Sequence, residues 1–212
     1  GDLDQLSVVG GLDGIEPMAM GTEGSGVGIL HEDGQVVVLV KDSGVPVIPD
    51  RQKEAESCLA FLLRRELRQR EDKPVEEYIR PRVVHRIDRL TSGLVIFAKT
   101  PVAERKLSAS FESRQVSKEY LAIVLGDMAA ARKTISVPID TGRKGRMRWG
   151  PAGKSSETVF EAVERFGTFT LVRARPLSGR THQIRVHALA AGFPLAVDSL
   201  YRPAATGTWG QL

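Results

Sequence analysis

The stretch His85-Arg86-Ile87-Asp88-Arg89-Leu90-Thr91-Ser92-Gly93 sets one carboxylate among three basic or titratable side chains, directly before the apolar run Leu94-Val95-Ile96-Phe97-Ala98. A carboxylate in such company has two readings. Bridged to Arg86 or Arg89, Asp88 ties down a loop. Held ionised and oriented by a guanidinium in a partly dry site, it is a reactive group, because a nearby positive charge lowers its pKa and a bidentate fork fixes its direction. A second basic segment, Ser178-Gly179-Arg180-Thr181-His182-Gln183-Ile184-Arg185-Val186-His187, offers Arg180 and Arg185 as partners. On a helix, His182, Arg185 and Leu189 fall on one face, which aims Arg185 at a cleft with apolar cover. Tyr120 shares a strand face with Lys118, Ala122 and Val124, and by itself reads as an ordinary strand tyrosine.

Other chemistries lack their residues. No G-x-x-x-x-G-K-[ST], G-x-G-x-x-G, G-x-S-x-G or H-E-x-x-H occurs, so nucleotide-binding, serine-hydrolase and zincin mechanisms have no anchor. His182 and His187 are five residues apart and diverge on either a helix or a strand, so no metal site is expected. Cys58 is the only cysteine, which excludes an internal disulfide. With 212 residues, 42% hydrophobic and 26% charged, the composition is that of a globular protein with a sizeable core. No apolar run approaches the roughly 20 residues of a membrane span. The Gly-rich, acidic N-terminus lacks a secretory pattern, and a cytoplasmic protein is expected. A net charge of +4 permits a polyanionic partner without demanding one. The positive charge is concentrated in Arg64, Arg65, Arg68 and Arg70, and in Arg143, Lys144, Arg146, Arg148 and Lys154.

The elements that must position these residues are readable in outline. Residues 1–25 read as an irregular leader. Asp33-Gly34 between β-prone runs predicts a hairpin over residues 28–40. Asp50 is placed to cap a helix whose Ala55, Cys58, Leu59, Leu62, Leu63 and Leu67 follow helical spacing. A buried strand is expected over 93–99, and Thr100 with Pro101 predicts the start of a helix lined by Ala103, Leu107 and Phe111. Further strands are expected over 118–125, 158–165 and 169–176, with a loop over 141–154. A helix over 178–191 ends at Gly192, with Pro194 beyond. The fold class is α+β with a mixed, largely antiparallel sheet, flanking helices and two lobes around a central cleft.

The motifs also carry a family resemblance. HRIDRLTSGLVIFAKT resembles the signature of the RluA class of pseudouridine synthases, and ILHEDGQVVVLVKDSGV, SKEYLAIVLG and SGRTHQIRVHALAAGFPLAVD resemble three further motifs of that family in the same order. The similarity covers about residues 27–202 and implies a catalytic domain over 26–212. It implies isomerisation of uridine to pseudouridine in rRNA or tRNA, without a cofactor, by a cytoplasmic monomer. Asp88 aligns with the aspartate that breaks and remakes the bond between base and ribose, as a nucleophile or through a glycal. Arg185 aligns with its arginine partner, Tyr120 with the aromatic residue beside the target base, and Arg86 with the arginine that fills the space of the flipped-out uridine. His85, Arg89, Thr91, Arg180, Arg146 and Arg148 are expected to contact RNA, and His187 to be structural. The chain departs from the family's Lys-Pro-x-Gly at Lys41-Asp42-Ser43-Gly44, where a differently shaped loop is expected. The family's further C-terminal strands are expected beyond residue 212. The alternative is a catalytically silent RNA-binding protein of the same fold, acting in RNA folding or ribosome assembly.

Overall fold

The computed structural model describes residues 27–49, 52–70, 80–142 and 145–201, so the leader, Asp50, Arg143 and Lys144 lie outside the described residues. The chain divides into two compact units, Gly1–Leu107 and Ser108–Leu212.

In the first unit, β1 (Gly28–Glu32) and β2 (Val36–Lys41) form the expected hairpin. Asp33 Oδ1 accepts the Gln35 and Val36 amides at 2.7 Å, which closes the turn. β2 pairs with β4 (Gly93–Ala98), and β4 with the short β3 (Arg82–Val83), giving an antiparallel sheet in the order β1-β2-β4-β3. Val36 and Val38 are as buried as Val37 and Leu39, so β2 is covered on both faces, as its unbroken apolar run requires. Helix α1 (Leu59–Arg70) lays Leu59, Leu63 and Leu67 against Val37, Leu39, Val95 and Phe97. Each such leucine contributes roughly 1.5–3 kcal/mol. The helix starts later than its apolar spacing predicts. A 3-10 turn over Gln52–Ser57 precedes it, and Ala55, assigned to the buried face, is exposed. Thr100 caps helix α2 (Pro101–Glu112), its Oγ1 accepting the Ala103 amide at 3.1 Å.

One residue at the end of β2 organises the loops above this sheet. Lys41 has no solvent exposure. Its ammonium donates to the carbonyls of Asp42 (2.8 Å), Val45 (2.7 Å) and Arg89 (2.9 Å). An ammonium has three donors, and the three carbonyls satisfy them. The backbone at Gly44 completes the stitch. Its N–H donates to Arg89 O (2.8 Å), and its own carbonyl accepts from Arg89 Nε (2.9 Å), with φ at +92° where a side chain would be strained. Ser43 Oγ donates to Leu90 O at 2.8 Å. The Lys41–Gly44 loop is thus held to the Arg89–Leu90 turn.

The second unit is built on the antiparallel order β5-β10-β9-β6: Tyr120–Leu125, Phe169–Pro176, Thr158–Arg165 and Arg132–Ile135. Helix α3 (Gln183–Ala190) packs Ala188 against Val124, Phe160 and Val172. The expected 141–154 loop is a correction: β7 (Ile139–Thr141) pairs with β8 (Met147–Trp149) as a small hairpin sheet. Three-residue strands of mixed polarity carry too little alternation to be read in advance. Beyond β8, Gly153 lets the chain return to bridge Ile139 from Lys154, since a Cβ there would meet the Ile139 backbone at 2.6–2.8 Å. All described strand pairs are antiparallel, so the mixed character expected of the sheet does not arise among them.

Helix α3 is joined to β9 by a buried polar network. Gln183 Nε2 donates to Glu157 O (2.8 Å) and Thr158 Oγ1 (3.0 Å), while its Oε1 accepts from Ser178 Oγ (2.7 Å) and the Arg180 amide (3.0 Å). His187, fully buried, has Nδ1 2.9 Å from Thr158 Oγ1 and Nε2 3.1 Å from Val137 O and 3.0 Å from Ser156 Oγ. The Val137 carbonyl can only accept, so the network assigns the ring proton to Nε2. The structural role expected of His187 is what these contacts supply.

Two predictions follow from these buried polar groups. Burial lowers the His187 pKa below 6.5, against the opposing pull of the Val137 carbonyl and Glu157. Above pH 6.5 the ring is neutral in folded and unfolded chains alike. Below it the unfolded chain binds a proton that the native ring resists, so stability falls as pH falls. Denaturation midpoints should decline below about pH 6.5, and His187→Gln should remove that part of the slope. Lys41→Met keeps the stem but strips three carbonyls of their donor, at roughly 1–3 kcal/mol each. Urea unfolding should register a loss above about 3 kcal/mol; a loss under about 1 kcal/mol would mean that water replaces the ammonium without penalty.

Candidate active site

Asp88 lies in the extended connection between β3 and β4, and its carbonyl accepts the Thr91 amide at 3.0 Å, forming a turn over Asp88–Thr91. The side chains of this segment are divided by what the backbone does. His85 is half-buried and its Nε2 accepts the Ile96 amide at 2.9 Å, so the ring pins the segment to β4 and carries no proton on that nitrogen. Asp88 and Thr91 are half-buried, and Arg86 and Arg89 are exposed. Arg89 turns back to Gly44. Beneath the turn, burial pushes the Lys41 pKa down, while the carboxylates of Asp42 and Asp88 pull it back up. Lys41 and Asp88 are therefore electrostatically coupled. A positive charge that cannot reach water, with all its donors used by backbone, acts on the neighbouring carboxylate without forming a close ion pair.

The second unit carries the remaining candidates. Tyr120 opens β5 opposite Ala174, half-buried against the cluster of Val124, Phe160 and Ala188. Arg185 projects from α3 and forks Asp198, with Nε–Oδ2 at 2.6 Å and Nη2–Oδ1 at 2.9 Å. The Asp198 side chain is 3% exposed, and its Oδ1 also accepts the Leu200 and Tyr201 amides at 2.9 and 3.0 Å. Burial pushes the Asp198 carboxyl up, but the Arg185 fork and the two amides together hold it below the ordinary carboxylate value. Arg185 also stacks on the Tyr201 ring at 4.9 Å. Tyr201 is fixed in turn, its Oη accepting the Met147 amide at 2.8 Å and lying 2.8 Å from His182 Nδ1. Arg146 donates to the Leu200 carbonyl and sits 5.9 Å over the same ring.

Several sequence expectations change here. His182 does not share a helical face with Arg185 and Leu189. It is the N-cap of α3 in left-handed backbone (φ 55°), and its ring reaches Tyr201. Asp198, the acid that closes the apolar run Pro194-Leu195-Ala196-Val197, is a buried carboxylate to which the sequence motifs assign no role. Held ionised by Arg185, it is an anchor and a poor proton donor. A guanidinium has five N–H donors, so an arginine forked on one carboxylate can serve another acceptor as well. Arg180 is half-buried beside the Gln183 network, its Nε donating to Ser155 O at 3.3 Å. Arg148 is exposed and faces Asp140 across the β7–β8 hairpin at 3.3 Å. Asp88, His85, Arg86, Arg89 and Thr91 belong to the first unit, and Tyr120, Arg180, Arg185, Arg146 and Arg148 to the second. Among the described residues no cluster of His, Cys, Asp and Glu could hold a metal ion, and no helix is long and apolar enough to cross a membrane.

Comparison with known proteins gives the site its context. The profile of the RNA pseudouridylate synthase family matches residues 35–190. Ribosomal large subunit pseudouridine synthase C of Vibrio vulnificus (strain CMCP6) is 39% identical over 174 residues, 82% of this chain and 52% of that protein. Pseudouridylate synthase RPUSD2 of Homo sapiens is 37% identical over 181 residues, 84% of this chain and 31% of that protein. The chain therefore spans about half the length, or less, of these curated relatives. Among solved structures, Human RNA Pseudouridylate Synthase Domain Containing 1 superposes with a TM-score of 0.65 at 28% identity, covering 84% of this chain and 71% of that one. Human RNA Pseudouridylate Synthase Domain Containing 4 shares the fold, with a TM-score of 0.68 at 24% identity over 82% of this chain and 68% of that one. On the extent of these matches and the four ordered motifs, the chain belongs to the RNA pseudouridylate synthase family, in its RluA class.

Proposed function

We propose that residues 26–212 form the catalytic domain of an RNA pseudouridine synthase, with Asp88 as the reacting carboxylate. The observation that carries this reading is the Asp88 turn itself: a half-buried carboxylate on a backbone stitched to a neighbouring loop and coupled to a buried ammonium. Such a platform keeps the carboxylate of a nucleophile aimed. Uridine and pseudouridine are isomers, so the balance closes within the substrate. The bond from ribose C1′ to N1 breaks, a bond from C1′ to C5 forms, C5 gives up its proton and N1 gains one. No oxidant or second substrate enters, and one carboxylate suffices where hydrolysis of a glycosidic bond ordinarily takes two. Asp88 serves either by attacking the ribose or by assisting a glycal. Arg185, fixed by Asp198 and Tyr201, takes the role of the arginine that the family pairs with its reacting aspartate, and Tyr120 packs beside the base and takes part in removing the C5 proton. Arg86, exposed beside the turn, occupies the space of the flipped-out uridine. His85, Arg89 and Thr91 shape the turn that meets the RNA. The first relative's name points to ribosomal RNA of the large subunit as the first substrate to test, with tRNA next. The enzyme works in the cytoplasm, as a monomer and without a cofactor.

Incubation with C5-tritiated ribosomal RNA should release tritium, and Asp88→Asn should lower that release by roughly 10³-fold or more while RNA affinity stays within about twofold. Retained release would remove Asp88 from the mechanism, and no release from the unaltered protein on any RNA would leave the silent RNA-binding reading. Arg146, Arg148 and Arg180 belong to the RNA-facing surface. Neutralising Arg146 and Arg148 together should flatten the dependence of log K on log salt by about 1.4, at roughly 0.7 per single-strand phosphate contact. An unchanged slope assigns both arginines to intramolecular bonding alone.

A further inference from the structure

The β7–β8 hairpin and helix α3 border an open groove of about 370 Å³ within the second unit. Its lining is Met147, Trp149, Leu189 and Tyr201, completed by Arg146 and Arg148. None of the roles assigned to Asp88, Tyr120 or Arg185 uses this groove. Met147 and Trp149 are alternate residues of β8 and so project to the same side of the hairpin. Met147 packs with Leu189 and Tyr201, but Trp149 is 47% exposed. A tryptophan is costly to leave half in water, and an indole face beside an apolar floor is a ready stacking surface. The floor is firm. Tyr201 is held at its hydroxyl by the Met147 amide and stacked under Arg185. The surroundings are basic: the chain from Thr141 to Ser156 contains no acidic residue, and Arg148, paired with Asp140 at 3.3 Å, is still 68% exposed.

We infer that this groove holds an unpaired nucleobase of bound RNA, other than the uridine that reacts, stacked on Trp149 with its phosphates met by Arg146 and Arg148. The inference rests on the RNA-modifying reading for the nature of the ligand. Charge decides for RNA over a protein segment, since arginines beside an exposed aromatic face match a polyanion whose bases have π-faces. Every base has a π-face, so a stack on the indole favours single strands over duplex without selecting one base. A paired base is buried in its helix and cannot enter.

The test uses the full chain with Trp209→Phe, so that Trp149 is the sole indole. A short oligouridylate should quench its fluorescence, and a duplex of equal phosphate count should not. Trp149→Ala should weaken oligouridylate binding about tenfold, the loss of one base–aromatic stack. Trp149→Phe, which keeps a ring, should recover most of it. Equal quenching by duplex, no quenching, or unchanged affinity in Trp149→Ala would overturn the inference, the last leaving the groove to a protein surface. Tritium release from C5-tritiated ribosomal RNA is read separately. Quenching without release sinks the enzymatic reading alone, and release with unchanged binding in Trp149→Ala sinks this inference alone.

Discussion

A charge taken out of water must be met by an opposite charge or by fixed dipoles, and both units of this protein are arranged around that requirement. In the first unit the charge is the Lys41 ammonium, without solvent exposure and closed by three backbone carbonyls. Those carbonyls come from two loops that are distant in sequence. Satisfying one ion therefore draws the Lys41–Gly44 loop and the Asp88–Thr91 turn into one piece. In the second unit the charge is Asp198, met by Arg185 and two amides. Satisfying it fixes the direction of Arg185 and the chain as far as Tyr201.

The two solutions differ in a way that bears on chemistry. Lys41 is solvated by backbone dipoles, and the Asp88 carboxylate raises its pKa through space. Asp198 is neutralised by a cation, so its own charge is spent. Asp88 thus lies in the field of an ammonium closed by backbone, while Asp198 is locked to Arg185. Low dielectric strengthens each contact and raises the penalty for leaving any of them unmade. The same logic runs through Gln183 and His187, whose polar atoms bind α3 to β9.

The β7–β8 hairpin shows how surface function is added to such a frame. Its strands are short, Gly142 permits the close approach of Arg146 O, and Gly153 lets the chain return to bridge Ile139 from Lys154. Packing it on α3 through Met147 leaves Trp149 and Arg148 at the surface. The basic run visible in the sequence is thereby sorted. Arg146, itself exposed, bonds the Leu200 carbonyl and lies over the Tyr201 ring, while Arg148 faces Asp140.

Patterns with a local cause were legible in the sequence. The Asp33 turn, the Thr100 cap, the doubly buried β2 and the leucine stripe of α1 each follow from backbone preference or periodicity over a few residues. The four ordered motifs were legible as well, and with them the family. What lay beyond the sequence was every feature in which distant residues satisfy one another. Nothing local marks Lys41 as the donor to Arg89, Asp198 as the anchor of Arg185, or Tyr201 as the meeting point of His182, Met147 and Arg185. His182 left the predicted helical face because its backbone turns left-handed just before α3. Local sequence determines which side chains can react, since reactivity is a property of residue type and neighbour. Tertiary structure alone decides which buried charges find partners, because that balance is struck between segments the chain brings together only on folding.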